Sequence, residues 1–159
     1  IGLPLTAMLK VLREFPGLEH RCQLVRELND VTFYNDSKGT NVGATLASIE
    51  GLGSEIKGKI ILIAGGLGKG ADFAPLAPAV AKYVRSVILI GKDAKLIAAA
   101  LAGATEILFV QSMQEAVLLA KSKAVENDAV LLSPACASLD MFANFEERGR
   151  VFASEVKNI

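Results

Sequence analysis

The chain has one histidine and two cysteines in 159 residues. Cys22 and Cys136 lie far apart and, with His20, form no metal-ligand spacing, which argues against a zinc site. Such sparse cysteine fits a reduced, cytoplasmic protein. There is no net charge either: Lys plus Arg number 17, and so do Asp plus Glu. A balanced chain has no global pull toward nucleic acid or an anionic membrane, so any anion binding must come from local placement. No apolar run approaches the length of a membrane span. "KIILIA" and "AVLLS" are short and run into Gly or Pro, as buried strands do. The chain shows no signal-peptide pattern and no initiator Met. Its opening, "IGLPLTAMLKVLREFPG", reads as mid-chain sequence, and the expectation is a piece of something longer.

What is present suits one ordinary domain with a short appendage. Hydrophobic residues make up 52% and charged residues 21%, enough for a sizeable core. Residues 5–14 have helical apolar spacing, ended by Pro16 and Gly17. "RCQLVREL" and "VTFYN" flank Asn29-Asp30, a hairpin signal because both residues tolerate positive φ. A repeating pattern follows. Helices are expected over Val42–Ile49, after Asp72 with Pro75 in the first turn, over Lys95–Leu101, over Gln114–Val125 behind a Ser112–Glu115 capping box, and from about Phe142 to Lys157. Between them, strands are expected at Lys59–Ala64, Val84–Ile90, Glu106–Val110 and Ala129–Ser133. Strands alternating with single helices imply βαβ units. The expected fold is therefore α/β: an open, mostly parallel sheet flanked by helices, Rossmann-like, with an antiparallel hairpin near the N-terminus.

In such sheets ligands bind beyond the carboxyl ends of the strands. Three chemically loaded loops leave strand ends: "NDSKGTN" (35–41), "GGLGKGADF" (65–73) and "SPACASLDMF" (133–142). If the sheet is parallel, they share one rim. The glycine-rich loop is no Walker A motif, because Ile63 stands where its first Gly belongs and Gly70 follows Lys69. It fits a loose dinucleotide fingerprint, Gly66-x-Gly68-x-x-Ala71, with Asp93 further on. It reads either as an anion cradle completed by Lys69 or as a flexible βα turn with a solvated lysine. In the first loop, Lys38 suits a phosphate or carboxylate and Asp36 a ribose hydroxyl or metal-bound water, while Thr40 or Asn41 caps the next helix.

In the third loop, Ser138 and the N–H groups after it suit a carboxylate. Cys136 reads as a small buried residue rather than a nucleophile. Phe142 and Phe145 read as core, His20 as structural or peripheral, Asp140 as a cap of the last helix, and Glu146-Glu147-Arg148 as a solvated helix face. The residues alone point to a site for an acidic small molecule, with or without a nucleotide, and identify no reaction.

Taken together, "NDSKGTN", "GGLGKGADF" and "LLSPACASLDMFANFEERG" closely resemble the C-terminal domain of the Mur ligases of bacterial peptidoglycan synthesis, in the branch that handles D-glutamate. The resemblance runs from about residue 16 to the end. Sister branches share the architecture but differ in the first loop and lack the "SPACASLD" run. The resemblance implies that residues 1–15 are a remnant helix of a preceding central ATPase domain and residues 16–159 the D-glutamate-binding domain. It implies a cytoplasmic, monomeric enzyme that joins D-glutamate to UDP-N-acetylmuramoyl-L-alanine with ATP and Mg2+, through an acyl phosphate. Nucleic acid and membrane spans play no part.

Residue by residue, the resemblance makes Lys69 the partner of a D-glutamate carboxylate and Thr40 and Ser138 its hydroxyl partners. Lys38 lies close to the amino acid, and Leu139 and Phe145 contribute nearby or through backbone. Asp36 becomes a nucleotide ribose contact and Arg21 a nucleotide phosphate contact. No residue here is assigned as catalytic or as a metal ligand; ATP and Mg2+ belong mainly to the central domain. Two departures stand out. Gly39 replaces a commoner Ala, which is expected to loosen the loop, and the "GGLGKG" turn lacks the Asp that many members carry before the Lys-bearing pair. The competing expectations are a stand-alone dinucleotide-binding domain and a non-enzymatic interaction module.

Overall fold

The computed structural model describes residues 2, 4–14 and 17–159. The helix break expected at Pro16, and the domain boundary at residues 15 and 16, lie outside the described residues. The first helix, α1 (Leu5–Glu14), leaves Leu5, Met8, Leu9 and Val11 exposed. Strands β1 (Gln23–Leu28) and β2 (Val31–Asn35) form the expected antiparallel hairpin. Asn29 and Asp30 turn it with φ of 52° and 59°, the pair of left-handed residues that a tight hairpin needs.

The remaining elements alternate. They are α2 (Val42–Glu55), β3 (Ile60–Gly65), a 3-10 turn (Ala74–Leu76) leading into α3 (Ala77–Tyr83), β4 (Val84–Ile90), α4 (Ala94–Ala100), β5 (Glu106–Phe109), α5 (Met113–Lys123), β6 (Ala129–Leu132) and α6 (Phe145–Asn158). The six strands lie in the order β1-β2-β6-β3-β4-β5. All pairings except β1–β2 are parallel. The sheet expected from sequence is thus the sheet observed.

Every residue of β3 and β6 is buried, as central parallel strands covered on both faces must be. The pleat sorts their side chains. Ile60, Leu62, Ala64, Val87, Leu89, Ala129 and Leu131 pack on α2, α3 and α4. Ile61, Ile63, Ile88, Ile90, Val130 and Leu132 pack on α5 and α6. The steps from β2 to β5 run one way across the sheet and the step from β5 to β6 runs back, so right-handed crossovers place their helices on opposite faces.

Two local expectations change, and one open choice is decided. Helix α2 runs past Ile49 to Glu55 despite Gly51 and Gly53. A Cβ on Gly53 would lie 2.6 Å from the Tyr83 ring, so this glycine admits a close helix contact instead of ending the helix. The last helix starts at Phe145, with Asn144 accepting from the Glu147 N–H at 2.7 Å, so Asp140 is not its cap. Asn41, not Thr40, caps α2 by accepting from the Ala44 N–H.

The amino-terminal edge of the sheet is tied by Asp128, which is buried. It accepts from the N–H groups of Lys59 (2.7 Å) and Val125 (3.1 Å) and from Arg85 Nε (2.7 Å) and Nη2 (3.0 Å). Burial by itself pushes this carboxyl up. The hydrogen bonds from Arg85, Lys59 and Val125 outweigh it and hold the carboxyl below the usual range. A carboxyl depressed by folding stabilises the protein above its unfolded value, and that stabilisation is lost as pH falls through the folded value. Asp128→Asn is therefore expected to cost about 2 kcal/mol at pH 7, a figure reduced for the exposure of Arg85. Urea unfolding at stepwise lower pH should show the gap between variant and parent closing below about pH 4.

Candidate functional site

β2, β6 and β3 are adjacent and parallel, so the loops that follow them leave the same edge side by side. Backbone bonds join these loops. The Ala135 N–H donates to the Gly39 carbonyl (2.9 Å) and the Gly65 N–H to the Pro134 carbonyl (2.9 Å). Leu67 and Ala137 form a two-way antiparallel bridge at 2.9 and 3.0 Å. The helix after β6 lies on the opposite face from those after β2 and β3, so the strand connections diverge here, as at the switch point where open α/β sheets bind ligands.

The predicted residues are distributed over this rim. Lys38 is exposed, with its Nζ 3.8 Å from the centroid of the Phe145 ring. That ring, half-buried rather than core, also meets His20 edge-on at 6.0 Å. Thr40 is half-buried, and its N–H donates to the Lys38 carbonyl. Arg21 is exposed in the turn whose His20 carbonyl accepts from the Lys38 N–H at 3.0 Å, which brings it beside the first loop. Lys69 is exposed, with φ 53°. Ser138 is buried and its carbonyl accepts from the N–H groups of Met141 and Phe142, while Leu139 next to it is 62% exposed.

Asp36 differs from the rest. It is buried, and its carboxylate accepts from Ser48 Oγ (2.7 Å), Ser133 Oγ (2.7 Å) and the Cys22 N–H (3.2 Å). A carboxylate has about four acceptor sites, so one is left for a further donor. Gly39 belongs to the same cluster and does not loosen it. A Cβ there would lie 2.6 Å from Asp36 Oδ2 and 2.7 Å from Ser133 Oγ, so the bare glycine lets the cluster close.

The charged run 146–148 is corrected most. Glu146 and Glu147 are half-buried, but Arg148 is only 1% exposed. It lies behind the rim. Its Nε and Nη2 donate to the Ser37 hydroxyl (3.0 Å) and carbonyl (2.9 Å), and Nη1 donates to the Cys136 carbonyl (3.1 Å). One guanidinium thereby ties the first loop to the third. Burial pulls it down to about 10, so it stays cationic at neutral pH. These acceptors are neutral, and a desolvated positive charge directly behind the loops favours an anion in front of them. Asn35 adds to the tie through Gly149, and His20, buried at φ 62°, meets the same amide at 3.0 Å.

The glycine-rich loop is shaped by packing. A Cβ on Gly65 would collide with the Ile90 carbonyl and one on Gly66 with the Ala137 carbonyl. Asp93, the acid of the loose dinucleotide fingerprint, is engaged by the Gly68 N–H at 2.7 Å. Two cavities flank the rim. One of about 660 Å³ lies over β4 and β5 between Lys92, Lys95, Phe109 and Met141, and one of about 490 Å³ lies beside Cys22, Tyr34, Ser48 and Glu55. Among the described residues no group of three or more His, Cys, Asp or Glu offers a metal site. No described helix is long and apolar enough to cross a membrane.

The profile of the family described as Mur ligase, glutamate ligase domain, matches residues 20–136. The chain belongs to the Mur ligase family. A UDP-N-acetylmuramoylalanine–D-glutamate ligase of Pseudomonas syringae pv. tomato is 62% identical over 157 residues, which are 99% of this chain and 35% of the relative. Ligases with that name are 59% identical in Pseudomonas aeruginosa (100% of this chain, 36% of the relative) and 54% identical in Legionella pneumophila strain Lens (99% and 35%). The chain thus spans about a third of the length of the curated relatives it matches. Among solved structures, a bifunctional folylpolyglutamate synthase/dihydrofolate synthase from Yersinia pestis, complexed with AMPPNP and Mn ion, superposes with a TM-score of 0.69 at 21% identity, covering 97% of this chain and 35% of that one. A UDP-N-acetylmuramate–alanine ligase from Thermotoga maritima gives 0.64 at 19% identity, covering 99% and 34%. These distant structures establish the fold.

Sequence reasoning missed Arg148, although a signal was present. Arg148, Phe152 and Val156 recur every fourth residue, which puts the arginine on the buried stripe of α6. Arg148→Ala leaves the Ser37 and Cys136 carbonyls without their donor and is expected to cost about 3 kcal/mol in urea unfolding, with faster amide exchange at Lys38. Burial pushes the Cys136 thiol up to about 12, and burial, then Asp36, also raises Cys22, which is exposed at its surface. Titration with an aromatic disulfide at pH 8 should count one reactive thiol in the native protein, Cys22, and both thiols in denaturant.

Proposed function

We propose that this chain is the carboxyl-terminal, D-glutamate-binding domain of an ATP-dependent ligase that joins D-glutamate to UDP-N-acetylmuramoyl-L-alanine in the cytoplasm. One observation carries the reading: the loops of Lys38 and Thr40, of Lys69, and of Ser138 and Leu139 are neighbours on one edge. A dianionic amino acid calls for ammonium groups and neutral donors together, and this edge supplies them with the Arg148 charge behind. The high identity to relatives named for this reaction supports the same choice. On this reading residues 1–15, with the exposed apolar face of α1, belong to a preceding central domain, residues 16–159 form the D-glutamate domain, and the enzyme is a monomer.

In the proposed reaction the alanyl carboxylate takes the γ-phosphoryl group of ATP, giving an acyl phosphate and ADP. The D-glutamate amine attacks the acyl carbon, and phosphate leaves as the amide forms and the amine loses a proton. The residues of this chain act by position and charge. Lys69, with Thr40 and Ser138, holds the amino acid; Lys38, steadied on the Phe145 ring, adds positive charge; Leu139 contributes through its neighbouring backbone. Arg21 and the remaining acceptor site of Asp36 suit a nucleotide phosphate and ribose. Mg2+ would neutralise phosphate charge; no group of three or more His, Cys, Asp or Glu stands among the described residues, and on this reading the ion is held mainly by the central domain. Closure of this rim over the rest of the enzyme would exclude water from the acyl phosphate.

The isolated chain is expected to show no ATP-dependent ligation and only weak amino-acid binding, because half of each site is elsewhere. Amide-shift titration of the labelled chain should show D-glutamate moving the signals of residues 38–40, 68–70 and 138–139 more than L-glutamate does. Lys69→Ala should weaken this binding about tenfold or more, the loss of one charge-assisted contact. Tight NAD binding indifferent to Lys69→Ala, or ligation by the chain alone, would overturn the proposal.

A further inference from the structure

Two carboxylates outside the groups assigned to ligand contact converge on one short turn, Gly91–Asp93. Asp140, in the loop after β6, accepts from the Lys92 N–H at 2.8 Å. Asp93 accepts from the Gly68 N–H at 2.7 Å, and its own N–H donates to the Gly66 carbonyl at 3.0 Å. The turn therefore grips the loop of Lys69 on one side and the loop of Ser138 and Leu139 on the other. It is built for close approach: a Cβ on Gly91, at φ 79°, would lie 2.5 Å from Asp140 Oδ2 and 2.8 Å from the Gly66 Cα.

Neither acid does the work its position in sequence suggests. Asp93 is the N-cap residue of α4, yet its side chain makes no capping bond there. Asp140 precedes the last helix without capping it, since Asn144 does so. Both side chains reach across to another segment instead, over 25 and 48 residues of chain. They also lie at a rim suited to an anion, where a negative charge opposes binding, so what they contribute there is geometry.

Their anchor points adjoin the ligand-contact residues. The Leu67–Ala137 bridge joins the two loops but stops short of Lys69. The Asp93 bond fixes Gly68, the residue immediately before Lys69, whose backbone is in the left-handed region uncommon for a side chain of this kind. The Asp140 bond fixes the residue immediately after Leu139. We propose that Asp93 and Asp140 are positioning residues: they lock the Gly91–Asp93 turn as a brace between the two loops and so fix Lys69 relative to the Ser138–Leu139 backbone. This deepens the functional reading above and rests on it for the identity of the ligand.

The brace is tested first in the chain itself. Asp93→Asn keeps an acceptor and Asp93→Ala removes it. Solvent exchange of the Gly68 amide should quicken about tenfold in the Ala variant and less in the Asn variant, with melting temperature monitored on the same samples. The decisive arm is remote. Asp140→Asn should alter the amide signals of Gly68 and Lys69, Asp93→Asn those of Ser138 and Leu139, and the double variant should be non-additive. Independent, purely local changes would overturn the proposal; if Asp93→Ala fails to fold, the two Asn variants carry the measurement.

A second arm replaces the carboxyl third of the Pseudomonas syringae ligase with this chain. Asp93→Ala should then raise KM for D-glutamate about tenfold with a smaller change in kcat and none in KM for ATP, and Asp93→Asn should recover part of the loss. An unmoved KM for D-glutamate in an active hybrid would overturn the brace. A parent hybrid devoid of D-glutamate-dependent ligation would count against the functional reading, and the amide measurements would still decide the brace.

Discussion

The architecture turns on the hydrogen bonding of β6 to both β2 and β3. A four-residue strand, Ala129–Leu132, joins the hairpin to the rest of the sheet, and all four of its residues are buried. Without it, the first loop and the glycine-rich loop would sit on separate pieces of the molecule. With it, they stand on either side of the "SPACASLD" segment, and every backbone contact among the loops follows. The run of Pro134 and small residues after β6 then makes sense. Small side chains allow Gly39, Gly65 and Leu67 to reach the segment's backbone.

Behind that rim the polar groups are matched with care. Arg148 and Asp36 are oppositely charged and both buried, yet the bonds described for each go to neutral partners. Arg148 holds carbonyls and a hydroxyl; Asp36 holds hydroxyls and an N–H. Buried charge is costly unless fully hydrogen-bonded, and such groups are better explained as fixing geometry than as adding stability. Here the geometry they fix is the relation of the first loop to the third.

Much of the fold was legible in the sequence. Short apolar runs ending in Gly or Pro marked the strands, Asn29-Asp30 marked the hairpin, and Ser112 marked the start of α5. The sheet order was not legible, because nothing local says that the sixth strand inserts between the second and third. Helix ends were missed where tertiary contact overrode propensity, as at Gly53 under Tyr83. For the site, the loops were legible because Gly, Lys, Ser and Asp cluster where strands end. The family resemblance, rather than spacing, supplied the individual roles. Arg148 was hidden because charge was taken as a sign of exposure; its place on the buried stripe of α6 was the better guide. Asp140 was misjudged for a related reason, and Asp93 was given no role. Each stood where a ribose acid or a helix cap is common, and each bonds to a distant backbone instead.

The strand that unites the sheet is also the last one in chain order. During synthesis the hairpin emerges first and β3, β4 and β5 follow, but these two portions have no shared edge until residues 129–132 appear. Long-range parallel pairing of this kind is slow to form and depends on late sequence. A chain lacking those residues would carry two unpaired strand edges, on β2 and β3, and would lack the segment that joins the first loop to the glycine-rich loop. The edge that carries the three loops is continuous only once this last strand has paired with both neighbours.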